Sequence, residues 1–179
     1  MRHHHRIAGL LSVGAGVIAF ALPAAVAAAP AYASPAGFVQ IQNAGTGLCL
    51  EPSPTSTASP DPIIQDSCVS ANQSEDWTAV SIGSNSWEFV NRATGDCLSA
   101  HTQHPAPGVK VVQWPCSNIT DNHWRFTQPI PSPTTTTLVS EVGGTSFCAD
   151  VPDSRLTQVF IEGCQAGLVL QQWDIVQDH

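Results

Sequence analysis

The chain has 179 residues, a net charge of −8, 14 prolines, 13 glycines and only 11% charged residues. This composition excludes a coiled coil and a charge-rich disordered tail, and it argues against a helix bundle. Lys and Arg total 6, which argues against the basic footprint of a nucleic-acid binder.

The first element in chain order reads as a targeting segment. Residues 1–6 are a short basic start, residues 7–29 are almost wholly apolar or small, and Ala31-Tyr32-Ala33 forms an A-x-A site. The pattern predicts a secretory signal peptide, residues 1–33, removed after Ala33. The run is long enough to be weighed as a membrane anchor. Gly14, Gly16, Pro23 and the many alanines weaken it as a stable span. His3, His4 and His5 fall inside the removed piece and predict no metal site. Residues 34–179 are therefore expected to be secreted, without membrane insertion. They carry all 14 acidic residues but only four basic ones, Arg92, Lys110, Arg125 and Arg155. Such a surface repels phosphate and anionic lipid and favours neutral or cationic partners. A segment of this length buries enough surface for one core.

The remaining text consists of short strand-like runs between turns. Residues 38–42 (Phe-Val-Gln-Ile-Gln) alternate and then meet Asn43-Ala44-Gly45-Thr46-Gly47. Residues 52–62 are too rich in Pro and Ser for a strand and predict an exposed loop. Residues 87–90 precede a second turn cluster, Asn91-Arg92-Ala93-Thr94-Gly95. Residues 109–114 and 158–161 are also strand-like. Residues 129–137 predict a linker whose last threonines enter a strand. Short β-branched and aromatic runs between turn clusters predict an all-β domain. No stretch shows a helical period with caps.

A repeat underlies these runs. The cysteines fall in pairs, Cys49 and Cys68, Cys97 and Cys116, Cys148 and Cys164, and a tryptophan follows each pair: Trp77, Trp124 and Trp173. Gly47-Leu48-Cys49-Leu50 parallels Gly95-Asp96-Cys97-Leu98 and Ser146-Phe147-Cys148-Ala149. The chain is thus three copies of one unit. Six cysteines allow 15 connectivities, but the same bond should recur in each copy. The repeat therefore predicts Cys49–Cys68, Cys97–Cys116 and Cys148–Cys164. Each bond would contribute on the order of 3 kcal/mol by the chain-entropy model, in keeping with an oxidising compartment. Zinc ligation is disfavoured because the close Cys-x-x-Cys spacing is missing.

Three such units, each ending in a Gln-x-Trp-like triplet, resemble the ricin-B-type β-trefoil lectins. The triplets are Glu75-Asp76-Trp77, Asn122-His123-Trp124 and Gln171-Gln172-Trp173, the last intact. The resemblance covers residues 37–179 and implies a β-trefoil with repeats of roughly 37–83, 84–130 and 131–179. One short unit cannot bury its own apolar face, whereas three around a pseudo-threefold axis share a core. Trp77, Trp124 and Trp173 are then expected as buried wedges, with Trp87 also in the core.

The resemblance also implies where sugar would bind. In these lectins a carboxylate sits two residues after the first cysteine and accepts hydrogen bonds from sugar hydroxyls. An aromatic ring two residues before the second cysteine stacks on the pyranose. An Asn precedes the Gln of Gln-x-Trp, and that Gln braces the carboxylate. The third copy has Asp150 and Gln171, but Glu162 replaces the ring and Leu170 the Asn. The second has Trp114, with Asp121 and Asn122 as polar partners, but Ser99 replaces the carboxylate. The first has Glu51, with Asp66 in place of the ring and Ser74-Glu75 in place of Asn-Gln.

The expected function is carbohydrate binding, toward neutral galactose- or xylose-type sugars, through incomplete sites. The competing reading is a trefoil with degenerate sugar sites that binds a protein partner, as toxin subunits or inhibitors do. A hydrolase finds no support, because neither Gly-x-Ser-x-Gly nor His-Glu-x-x-His is present. His101 and His104, beside Pro105, read as a polar loop. No cofactor or metal is expected.

Overall fold

Alternating apolar positions cut by Asn- and Gly-containing turns favour short paired strands, and the computed structural model has that form. It describes residues 37–55, 60–127, 135–144 and 146–177, so the predicted signal peptide and its cleavage site lie outside the described residues. All described residues belong to one compact unit. No helix among them is long and apolar enough to cross a membrane.

Six strands close a barrel: β1 (Val39–Asn43), β4 (Trp77–Gly83), β5 (Ser86–Asn91), β9 (Trp124–Phe126), β10 (Thr136–Ser140) and β14 (Gln172–Gln177). Each pairs antiparallel with the next, and β14 returns to β1. Closure removes the exposed edges that open sheets carry. Three hairpins extend from it. They are β2 (Cys49–Pro52) with β3 (Ile63–Asp66), β6 (Cys97–Ser99) with β8 (Val112–Trp114), and β11 (Phe147–Asp150) with β13 (Phe160–Gly163).

The hairpins are linked by short strands and a bridge. β12 (Thr157–Gln158) pairs with β3, β7 (Val109–Lys110) pairs with β13, and Pro62 bridges Val112. Three backbone hydrogen bonds form a ring around the pseudo-threefold axis. Ile63 N–H donates to Val111 at 3.1 Å, Val111 to Val159 at 2.9 Å, and Val159 to Ile63 at 2.9 Å. This ring explains one departure from the sequence reading. The expected continuous strands at 109–114 and 158–161 each break where Val111 and Val159 turn their amides toward the axis.

The core is the interior of the barrel and of the hairpin layer. Trp77, Trp87, Trp124 and Trp173 are completely buried, as expected. The indoles of Trp77, Trp124 and Trp173 donate to the carbonyls of Leu50, Leu98 and Ala149 at 3.1, 2.9 and 3.2 Å. Each therefore ties a barrel strand to the first strand of its own hairpin. Burying one such ring contributes roughly 5 kcal/mol of transfer free energy at about 25 cal/mol per Å². The three disulfides are Cys49–Cys68, Cys97–Cys116 and Cys148–Cys164, the predicted set. The turns entering the first two hairpins are alike: Asn43 and Asn91 accept the amides of Gly45 and Thr46, and of Ala93 and Thr94. Gly47 and Gly95 end those turns at φ of 70° and 77°, a conformation that favours glycine.

Candidate functional site

Beside the short turn that leads into its buried tryptophan, each hairpin carries the positions where the lectin resemblance places a sugar pocket. Residues two apart on a strand face the same way, so the position two after the first cysteine and the position two before the second share one face. The three pockets differ in what stands there.

In the third repeat, Asp150 ends β11 and is 6% exposed. Its Oδ2 accepts a hydrogen bond from Gln171 Nε2 at 2.9 Å, and its Oδ1 accepts one from the Val151 amide at 2.7 Å. Gln171 sits in a 3-10 turn (Val169–Gln171). Its Nε2 also donates to the Gly163 carbonyl at 3.0 Å, and its Oε1 accepts from the Gln165 amide at 2.8 Å. The carboxylate is thereby fixed in orientation, yet a carboxylate has about four acceptor sites, so capacity remains for hydroxyl donors. The two residues the sequence predicts to be next to each other are brought together.

Glu162, at the ring position, accepts its neighbour Gly163's amide at 3.1 Å. Leu170 packs against the core while its carbonyl accepts Asn43 Nδ2 at 2.9 Å. An aromatic ring not singled out in the sequence stands close to this carboxylate. Phe160 lies directly opposite Asp150 in the β11–β13 register and is only partly buried. Directly opposed side chains share a face with Cβ atoms about 5 Å apart. The Lys110 ammonium lies 5.4 Å from the centroid of that ring.

In the second repeat, Trp114 ends β8 and is half-buried. The His101 imidazole stacks on it, with centroids 3.8 Å apart and planes 12° apart. His101 Nδ1 lies 3.2 Å from Asp121 Oδ2, which also accepts the Thr102 amide at 3.3 Å. The imidazole thus lies against the Trp114 ring with one nitrogen close to the Asp121 carboxylate. Ser99 is fully buried, and its hydroxyl donates to the Asp121 carbonyl at 3.2 Å.

The third residue expected at this pocket is Asn122. It is fully buried, its Nδ2 donates to the Pro115 carbonyl at 3.2 Å, and its Oδ1 has no hydrogen-bond partner among the described residues. It stands where Gln171 stands in the third repeat. It is one methylene shorter, and Ser99 offers no carboxylate to brace. In this arrangement the Asn122 amide ties its turn to the hairpin through the Pro115 carbonyl.

In the first repeat, Glu51 is 4% exposed. Asn72 Nδ2 donates to Glu51 Oε2 at 3.0 Å and to Glu75 Oε1 at 2.9 Å. Glu75 Oε2 accepts the Val69 amide at 2.7 Å. Burial pushes both carboxyls above the usual glutamate range, against the pull of these hydrogen bonds. Asp66, at the ring position, pairs with Arg155 from the third repeat, and that hydrogen bond holds its carboxyl below the usual range. This pocket has acceptors but no ring at the stacking position. Glu75 also lies near the sulfurs of Cys49 and Cys68, but those are joined to each other and supply no thiolate ligand.

Comparison with known proteins agrees with this geometry. The family model described as "Ricin-type beta-trefoil lectin domain" matches residues 37–173. The chain belongs to the ricin-type β-trefoil lectin family. No curated protein matches it significantly by sequence. Its fold is similar to that of a designed threefold-symmetric protein, ThreeFoil, with a TM-score of 0.69 at 23% identity, covering 79% of this chain and 99% of that one. It is also similar to a Macrolepiota procera ricin B-like lectin solved with lactose, with a TM-score of 0.64 at 17% identity, covering 78% and 94%. An exo-β-1,3-galactanase from Clostridium thermocellum contains a similar fold, with a TM-score of 0.68 at 20% identity. There this chain covers 30% of the enzyme and the match covers 78% of this chain. Membership of a lectin-domain family supports carbohydrate binding in general.

Proposed function

We propose that the protein is a secreted, non-catalytic module that binds neutral sugars of the galactose or xylose type. The observation that carries this reading is the third repeat's carboxylate, Asp150, braced by Gln171 and flanked across the strand by Phe160. Asp150 would accept two adjacent sugar hydroxyls, and Phe160 would take the apolar face of the ring. The second repeat would bind with Trp114 as platform and Asp121 as acceptor. The first repeat, lacking a ring at the stacking position, would not stack a sugar. Two shallow pockets on one rigid unit favour a polymer, where the second contact is intramolecular. The strongly acidic balance supports neutral over anionic glycans.

A protein partner is the second reading. The ion pair of Asp66 with Arg155 over the first repeat favours it, because a closed polar surface serves a protein interface better than a sugar pocket.

A glycan array, with pull-down on insoluble galactans and xylans, tests the proposal on the secreted protein with its disulfides intact. Selective binding competed by free galactose, lactose or xylose is expected. No binding across both panels at high protein concentration overturns it and turns the search to protein partners.

A further inference from the structure

We propose that His101 is an intramolecular occupant of the second repeat's pocket, and that sugar binds there only by displacing the imidazole from Trp114. The proposal rests on the sugar-binding reading above and names a residue that the lectin pattern does not contain.

The imidazole meets the same two demands that a pyranose would. It lies flat on the Trp114 ring at 3.8 Å and 12°, and it places Nδ1 3.2 Å from Asp121 Oδ2. A sugar needs the ring for its C–H face and the carboxylate for its hydroxyls. At 3.8 Å nothing fits between the two rings, so the covered face of Trp114 is closed while His101 is in place. The imidazole stands where the sugar would stand, with its face on the platform and a nitrogen beside the acceptor.

The arrangement is built to open at the side chain. The Ala100 amide donates to the Asp121 carbonyl at 2.9 Å, and the Thr102 amide donates to Asp121 Oδ2 at 3.3 Å. The backbone on both sides of His101 is therefore held to the turn that carries Asp121. Only rotation about the side-chain bonds is needed to clear the ring, a fast motion for an exposed residue. The His101 side chain is 36% exposed and outside the core, so its removal leaves the fold intact. An occupant that is in place about nine-tenths of the time weakens apparent sugar affinity about tenfold.

The test isolates the second repeat by working in an Asp150→Ala background, with lactose and xylobiose as probes in calorimetric titrations. His101→Ala is expected to raise affinity about tenfold, and Trp114→Ala is expected to abolish that gain. His101→Phe, which keeps the stack and loses the nitrogen beside Asp121, should fall between. A readout without sugar is acrylamide quenching of fluorescence. The other four tryptophans are fully buried, so quenching reports on Trp114 and should increase in His101→Ala. Unchanged quenching, or sugar affinity that stays level or falls in His101→Ala, overturns the proposal. Absence of any Trp114-dependent sugar binding in all variants also overturns it. In that case, sugar binding by the unmutated protein that is lost in Asp150→Ala would leave the general reading standing.

Discussion

The second and third repeats share a scaffold and diverge at the pocket. In both, a buried indole donates to the carbonyl of the residue after the first cysteine, Leu98 in one and Ala149 in the other. In both, a side-chain amide from the turn before that indole donates to the carbonyl preceding the second cysteine, Pro115 or Gly163. The third repeat then adds a carboxylate on the hairpin, Asp150, which the amide braces. The second has Ser99 there, bonded to the Asp121 carbonyl, while the Asp121 carboxylate and the Trp114 ring both lie against His101. The difference shows which positions the fold constrains. Residues that close the core keep one identity or one bond, because their loss leaves a cavity or an unpaired carbonyl. Residues that only line the pocket are free to change places.

The largest expected effect tests the shared half of this comparison. Trp124→Ala and Trp173→Ala should each cost about 3–5 kcal/mol in urea unfolding. The two costs should agree within about 1 kcal/mol, since burial and bonding match; a wider gap would break the equivalence of the scaffolds. The bracing amides sharpen the contrast. Gln171→Ala strips a buried carboxylate, a carbonyl and an amide of partners and should cost about 1–3 kcal/mol. Asn122→Ala removes one hydrogen bond and an unpaired oxygen and should cost about 1 kcal/mol or less. Equal costs would mean that Asp150 is not held by Gln171 in solution.

Binding comes next in size. Phe160→Ala should weaken sugar binding at the third repeat about tenfold, by the loss of a stacked ring, with little change in the second. Titration of the Trp114→Ala protein, where only the third repeat reports, checks this. The smallest effect concerns the first repeat. Burial raises the Glu51 carboxyl, so the folded state holds its proton more tightly than the unfolded chain. Glu51 therefore costs stability as pH rises through the interval between the ordinary glutamate value and the raised one. Glu51→Gln should raise Tm slightly at neutral pH and leave it unchanged below about pH 4. Thermal melts at both pH values check the sign.

The sequence carried the scaffold well because its markers are covalent or deeply buried. Paired cysteines and the tryptophan after each pair recur at nearly fixed spacing, since changing them would break a disulfide or open the core. The strands that begin at the cysteines were harder to see. Cys49–Pro52 is buried at every position, so it shows no alternation to read. The pockets were legible only in part. Asp150 and Gln171 stand out because the lectin resemblance places them at fixed offsets from a cysteine and a tryptophan that the repeat makes visible. Phe160 did not, because its closeness to Asp150 depends on which residue of β13 faces β11. His101 over Trp114 depends on the path of a loop, and Arg155 on Asp66 joins the third repeat to the first. Neither contact leaves a local spacing to detect.

The most direct measurement is the binding of the Asp150→Ala, Trp114→Ala double variant to the polysaccharide that retains the unmutated protein. The account predicts that each single variant is weakened and that the double variant, still folded by circular dichroism with all three disulfides formed, is no longer retained. Undiminished retention of the double variant would place the binding surface elsewhere and contradict the account.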